Sequence, residues 1–294
     1  MFVLHDYETN YGEHCREDWR RIVVEYSRRN LSVESDKLPA LAGLAARFSL
    51  DSIHNGTSLV AGNRYLAGLW LDDMIRDLCW SLDIYKQPIL RPQQYCAPSW
   101  SWASVNGPID YKEWARFFTE LAVLKDAYVN LESRDQAYGR VIGGWILLRG
   151  LKLRPYKKQD SKSLWIRDNG VVFRVVSTWD SEAYEVPEEG QLPYPDGGTT
   201  ELFLIPLGWV KRHTLALNNG PDALLGPFFL IVKPATHEAQ RYACVPGFKR
   251  VGFGTGVWLT NANEGTDKAG LERLIVERFF AAKQRGELED IVLI

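Results

Sequence analysis

The chain is poor in sulfur, with two Met and four Cys among its 294 residues. Cys15, Cys79, Cys96 and Cys244 lie far apart and form no C-x-x-C pair. A small disulfide-framework protein would be shorter and denser in cysteine, so the expectation is reduced thiols in a cytoplasmic protein. Charge of one sign is not in excess either. The 35 Lys+Arg nearly balance 37 Asp+Glu, a net charge of -2, and nothing steers the molecule as a whole to nucleic acid or an anionic membrane. Long hydrophobic runs are missing too. The longest, Leu202–Val210 and Leu224–Val232, are interrupted by Pro206 and Pro227 and fall well short of the roughly 20 residues of a membrane span. The opening Met1-Phe2-Val3-Leu4 meets His5-Asp6 at once, too early for the core of a signal peptide.

Aromatic residues are abundant: 11 Trp, 13 Tyr and 12 Phe. Hydrophobic residues make up 46% and charged residues 24%, ordinary for a globular chain with a real core. At roughly 100–200 residues per domain, the length suits one large domain or two ordinary ones.

The first third has helical periodicity. In Arg16–Arg29, Trp19, Ile22, Val23 and Tyr26 form one apolar stripe, with arginines and glutamates on the other side. A second helix is expected from Ser35-Asp36, with Pro39 in its first turn and Leu38, Leu41, Leu44, Ala45 and Phe48 as its face. A third is expected over about Tyr65–Tyr85. A Pro-rich connector, Pro88 to Pro108, carries the sharpest local pattern: Tyr95-Cys96-Ala97-Pro98-Ser99-Trp100-Ser101-Trp102-Ala103-Ser104. Period two places Trp100 and Trp102 on one face of an extended segment and small residues on the other, which predicts a buried strand.

Beyond about residue 120 the pattern turns to strands. Arg140–Leu153, Leu164–Arg167, Val171–Thr178, Leu202–Val210, Leu224–Lys233, Arg241–Val245 and Arg250–Thr260 are apolar or alternating. Asp168-Asn169-Gly170 signals a hairpin turn. A late helix is expected near Ala269–Lys283 and a last strand over Asp290–Ile294. The fold class predicted is α+β: a helical subdomain with its Trp-rich connector over 1–110, packed on a mainly antiparallel, barrel- or sandwich-like β subdomain over 111–294.

Motifs for chemistry fail on spacing. His5, His14, His54, His213 and His237 make no metal-ligand pair at i+2, i+3 or i+4. Gly252-Phe253-Gly254-Thr255-Gly256 has glycines but no following helix and no Lys-Ser/Thr, so it predicts close backbone approach within a strand instead of a phosphate loop. No G-x-S-x-G is present. Asp72-Asp73 reads as a solvated helix start. Tryptophan platforms bind sugars and bases by stacking, but the small residues flanking Trp100 and Trp102 favour burial.

Several segments then form an ordered series: Trp19 to Leu31, Asp36-Lys37-Leu38-Pro39-Ala40-Leu41, Tyr65-Leu66-Ala67-Gly68-Leu69-Trp70, and Ala97-Pro98-Ser99-Trp100-Ser101-Trp102-Ala103-Ser104. Gly143-Gly144-Trp145, Ile205-Pro206-Leu207-Gly208-Trp209, Arg250-Val251-Gly252 and Asp290-Ile291-Val292-Leu293-Ile294 follow. Together they resemble the region that follows the HET (heterokaryon incompatibility) domain in large fungal HET-type proteins, over nearly the whole chain. Cys96 stands where that pattern usually has Arg. The resemblance implies that the HET domain, linked to cell death after non-self encounter, would lie upstream and is absent here. It supplies no catalytic position, cofactor or metal ligand. Tyr95, Trp70, Trp100, Trp102, Trp145 and Trp209 are expected to be structural. The expected function is non-catalytic recognition or regulation with protein partners and no enzyme activity. The alternatives are a ligand- or carbohydrate-binding module using aromatics, and a hydrolase whose site is assembled across both parts.

Overall fold

A computed structural model describes residues 16–54, 64–83, 91–111, 118–157, 163–168, 171–180, 201–210, 227–235, 247–257 and 277–294. Helix α1 covers 16–27 and buries Trp19 and Val23, as its stripe predicts. Two 3-10 turns follow, Glu34–Asp36 and Pro39–Leu41, and lead into α2, Ala42–His54. The expected second helix is therefore broken at its start, where Pro39, lacking an N–H, opens a fresh turn. Leu38, Leu41 and Ala45 are buried, but Leu44 is exposed.

The helix expected over Tyr65–Tyr85 is not formed. Strands β1 (Tyr65–Leu66) and β2 (Leu69–Trp70) make a tight hairpin. Its turn residues Ala67 and Gly68 have φ of 48° and 96°, the positive pair that two-residue hairpins require. A 3-10 turn at Leu71–Asp73 and a short α3 (Met74–Asp77) follow, then β3 (Trp80–Leu82), antiparallel to β4 (Ile109–Tyr111). Residues 65–70 are all buried, and a segment with no solvent face has no periodicity to separate helix from strand.

The remaining strands are β5 (Phe118–Glu120), β6 (Val123–Leu131), β7 (Val141–Gly150), β8 (Tyr156–Lys157), β9 (Leu164–Asp168), β10 (Val171–Trp179), β11 (Phe203–Val210), β12 (Phe228–Pro234), β13 (Phe248–Val257) and β14 (Glu289–Leu293). Helix α4 covers 277–284. The ten strands form one mainly antiparallel sheet, ordered β5-β11-β12-β13-β10-β9-β8, with β14, β7 and β6 branching from β13. The branch point is the start of β13, where Phe248 faces Leu293 in parallel, while Gly252–Val257 pairs with β10. A lone bridge, Leu153 to Leu204, ties the segment after β7 to β11.

The architecture is thus α+β and sandwich-like, and the sheet does not close into a barrel. Along β12, Phe228, Leu230 and Val232 enter a large core, while Phe229 and Ile231 enter a second. The large core runs from Trp19 through the β1–β2 hairpin and the Trp-rich segment to Leu293, so the N-terminal part and the sheet share it. The expected strand Arg241–Val245, the turn Asn169-Gly170 and the first part of the expected late helix lie outside the described residues.

Candidate functional site

The Trp-rich segment turns instead of extending. Ser101 donates its N–H to Pro98 O at 2.9 Å, its hydroxyl accepts from Ala103 N at 3.1 Å, and Trp102–Ser104 is a 3-10 turn. Local Ser hydrogen bonding outcompetes the strand that the big/small alternation predicts. Trp100 and Trp102 are nonetheless buried, at 0% and 2% exposure. The indole N–H groups of Trp19 and Trp102 both donate to Gly68 O, at 3.0 and 3.1 Å, and Ser101 Oγ donates to Ala67 O at 2.6 Å. The β1–β2 turn is thereby clamped by two indoles and a serine. Trp70 lies in the same cluster, edge-on to Trp19 and Tyr65. Trp145 pairs with Tyr128 across β7 and β6, Trp209 packs in the small core under α4, and Tyr95 is exposed. The six aromatics therefore do not converge on one binding platform.

Two buried ionic junctions lie beside this cluster. Arg16 and Arg20 were expected on the solvent side of α1 but are buried. Arg20 Nη1 donates to Asp73 Oδ2 at 2.5 Å and to Asp77 Oδ1 at 2.8 Å; Arg16 Nη2 donates to Asp72 Oδ2 at 2.9 Å. Asp73 is thus a buried counterion, whereas Asp72 is exposed at the start of the 3-10 turn, as expected, and pairs there with Arg16. Asp77 also accepts from Trp70 N at 2.8 Å. Burial, with Asp73 nearby, pushes the Asp77 carboxyl up to about 6 against the pull of Arg20.

The second junction centres on Arg250, fully buried on β13. Its Nε donates to Asp180 Oδ2 at 2.9 Å, Nη1 to Leu78 O at 2.7 Å and Nη2 to Trp80 O at 2.5 Å. The guanidinium stacks 3.3 Å over the Trp80 ring. Its backbone N–H donates to Ser99 Oγ at 3.0 Å, and Ser99 donates to Ile294 O through both its N–H and its hydroxyl. One arginine and one serine thus join β3, β13, β14 and the Trp-rich segment.

A surface cleft of about 300 Å³ opens where the end of α1, the first 3-10 turn and residues 102–108 meet. Tyr26 and Trp102 meet edge to face at 6.0 Å. Lys37 Nζ donates to Val105 O and, at 2.5 Å, to Asn106 Oδ1. Glu34 accepts from Asn106 Nδ2 at 2.5 Å and from Gln93 N at 3.0 Å, so both its oxygens are engaged. Burial lowers the Lys37 ammonium from its ordinary value. Cys96 lies close enough to Lys37 and Glu34 for their charges to act on its thiol, which burial pushes up. Nothing in the sequence marks this cleft, whose polar lining includes Arg28, Arg29, Asn30 and Lys37.

Among the described residues no three His, Cys, Asp or Glu side chains group as metal ligands. The five histidine side chains, Cys15 and Cys244 lie outside the description. Cys79 and Cys96 are free and buried. Gly254, within the glycine series, sits in β13, where a Cβ would lie 2.5 Å from Val175 Cγ1. No family model, curated protein or solved structure matches the chain.

Proposed function

We propose that this chain is a non-catalytic recognition or regulatory module of the heterokaryon-incompatibility type, acting in the cytoplasm through protein partners. The carrying observation is the fate of the residues behind the resemblance. Trp19, Ala67-Gly68, Trp70, Ser99-Trp100-Ser101-Trp102 and Arg250 are spread along the chain, yet they come together in one buried cluster and the Arg250 junction beside it, where they are engaged in packing or hydrogen bonding. Residues spent on a scaffold supply rigidity for a presented surface, not chemistry. Burial of Trp70, Trp100 and Trp102 speaks against sugar stacking on that motif.

The test has two arms. The chain is expressed in a filamentous fungus and the incompatibility reaction is scored, with Trp102→Ala as the destabilised-scaffold control. Purified protein is incubated with NAD and with ester, phosphate and glycoside substrates. The wild-type chain should alter the reaction, Trp102→Ala should not, and no substrate should turn over. Turnover abolished by a single substitution in the surface cleft would replace this reading with an enzyme.

A further inference from the structure

The geometry points to the cleft between Tyr26, Lys37 and Trp102 as a binding site for a small organic oxyanion, a carboxylate or a phosphate monoester carrying an apolar body. This goes beyond the recognition reading and does not depend on it.

Size comes first. About 300 Å³ is the lower end of small-molecule pockets, enough for a single ring with an acid group and too little for a folded partner element. The walls are mixed. Tyr26, Leu31, Trp102 and Pro108 present apolar surface, and the polar groups sit at defined points between them.

Charge then decides the class. Three cations line the cleft, Arg28, Arg29 and Lys37, against the single carboxylate of Glu34. Both Glu34 oxygens already accept hydrogen bonds from Asn106 and Gln93, which leaves little for a cationic ligand. Arg28 is paired with Glu25 at 2.5 Å. The Arg29 side chain has no hydrogen-bond or ion-pair partner among the described residues. Lys37 is half-buried, and its two acceptors, Val105 O and Asn106 Oδ1, are neutral. Among the described residues no carboxylate is bonded to this half-buried ammonium; Glu34 acts on it only through space, its third N–H is left over, and an anion in the cleft supplies the contact. Arg29 at the rim offers a planar fork that suits a carboxylate or phosphate. The orienting contacts are built in: Lys37 is held by Val105 and Asn106 of the same cleft wall, so little side-chain freedom remains to be lost on binding.

The experiment titrates the full chain with benzoate, phenyl phosphate and the neutral benzamide, following the Asn106 side-chain amide and the Trp102 indole N–H by NMR. At least one of the two acids should bind saturably at up to millimolar concentration, and benzamide should not. Arg29→Ala, at an exposed position, should keep the fold and weaken binding about ten-fold, as expected for losing one charge-assisted contact. Lys37→Met should abolish binding. Which acid binds distinguishes a carboxylate from a phosphate ligand. Binding of benzamide as tightly as the acids, no saturable binding of either acid, or wild-type affinity in Arg29→Ala would each overturn the proposal. Arg29→Ala decides the matter even if Lys37→Met does not fold.

Discussion

At the scale of single residues, the buried charges carry the most leverage. Among the described residues Arg250 makes three side-chain hydrogen bonds out of contact with water, and of those partners only Asp180 carries charge. Asp180→Ala leaves the guanidinium buried without a counterion, and such losses cost about 3–5 kcal/mol. Urea denaturation should show the midpoint fall accordingly, and a change within about 0.5 kcal/mol would show that the junction does not depend on the pair. Arg250→Lys should rescue little, because one ammonium cannot reproduce the fork that reaches Asp180, Leu78 and Trp80. Asp77 adds a pH dependence whose sign follows from its environment. In the unfolded chain it ionises near the ordinary 3.8, whereas in the folded chain it holds its proton to about 6. Between those values the folded state binds more protons, so this group makes stability fall as pH rises across that window and contributes no slope above it. Urea midpoints from about pH 4 to about pH 7 should show a negative component that Asp77→Asn removes. An identical pH profile in the variant would refute the assignment.

Elements show where the sequence speaks and where it is silent. The strands β7, β9, β10, β11 and β12 lie close to where their apolar runs place them, and β12 explains why: five successive residues feed two cores, so the whole run is apolar. The first helix was equally legible in its apolar stripe, but not in its arginines. Nothing local says that Arg16 and Arg20 meet Asp72, Asp73 and Asp77 more than 50 residues on. Strand β6 escaped notice because it is an edge strand whose Val123, Lys125, Asp126 and Tyr128 are exposed and supply no clean apolar alternation. The β1–β2 hairpin was hidden for the opposite reason, being buried throughout. Its dependence on Gly68 is testable. That residue has φ of 96°, and a Cβ there would stand 2.4 Å from Trp102 Nε1. Gly68→Ala must therefore strain the turn and displace the indole together. It should destabilise by about 1–3 kcal/mol, and the Trp102 indole N–H resonance should lose its hydrogen-bonded shift. Trp102→Ala, which empties the same place, should cost roughly 3–5 kcal/mol. The candidate cleft was not legible in the sequence; its geometry comes from three segments meeting, which no window of sequence displays.

For the whole molecule, the change from helical to strand periodicity does not divide the protein into two independent bodies, since one core runs from Trp19 on α1 to Leu293 on β14. A single cooperative transition is the expected thermal behaviour, with calorimetric and van't Hoff enthalpies in agreement; two resolved transitions would show that the helical part and the sheet unfold separately. The position of β14 has a temporal consequence. It lies between β7 and β13, yet both of those neighbours leave the ribosome before it does. Until residues 289–293 emerge, β7 keeps an unpaired edge, Phe248 at the start of β13 lacks its parallel partner, and the Ser99 that anchors Ile294 has no carbonyl to bind. Nascent chains arrested ahead of Glu289 are therefore a sticky intermediate, the state in which unpaired edges recruit chaperones or neighbouring chains. Strand β14 is the keystone of a sheet in which two earlier strands must wait for it.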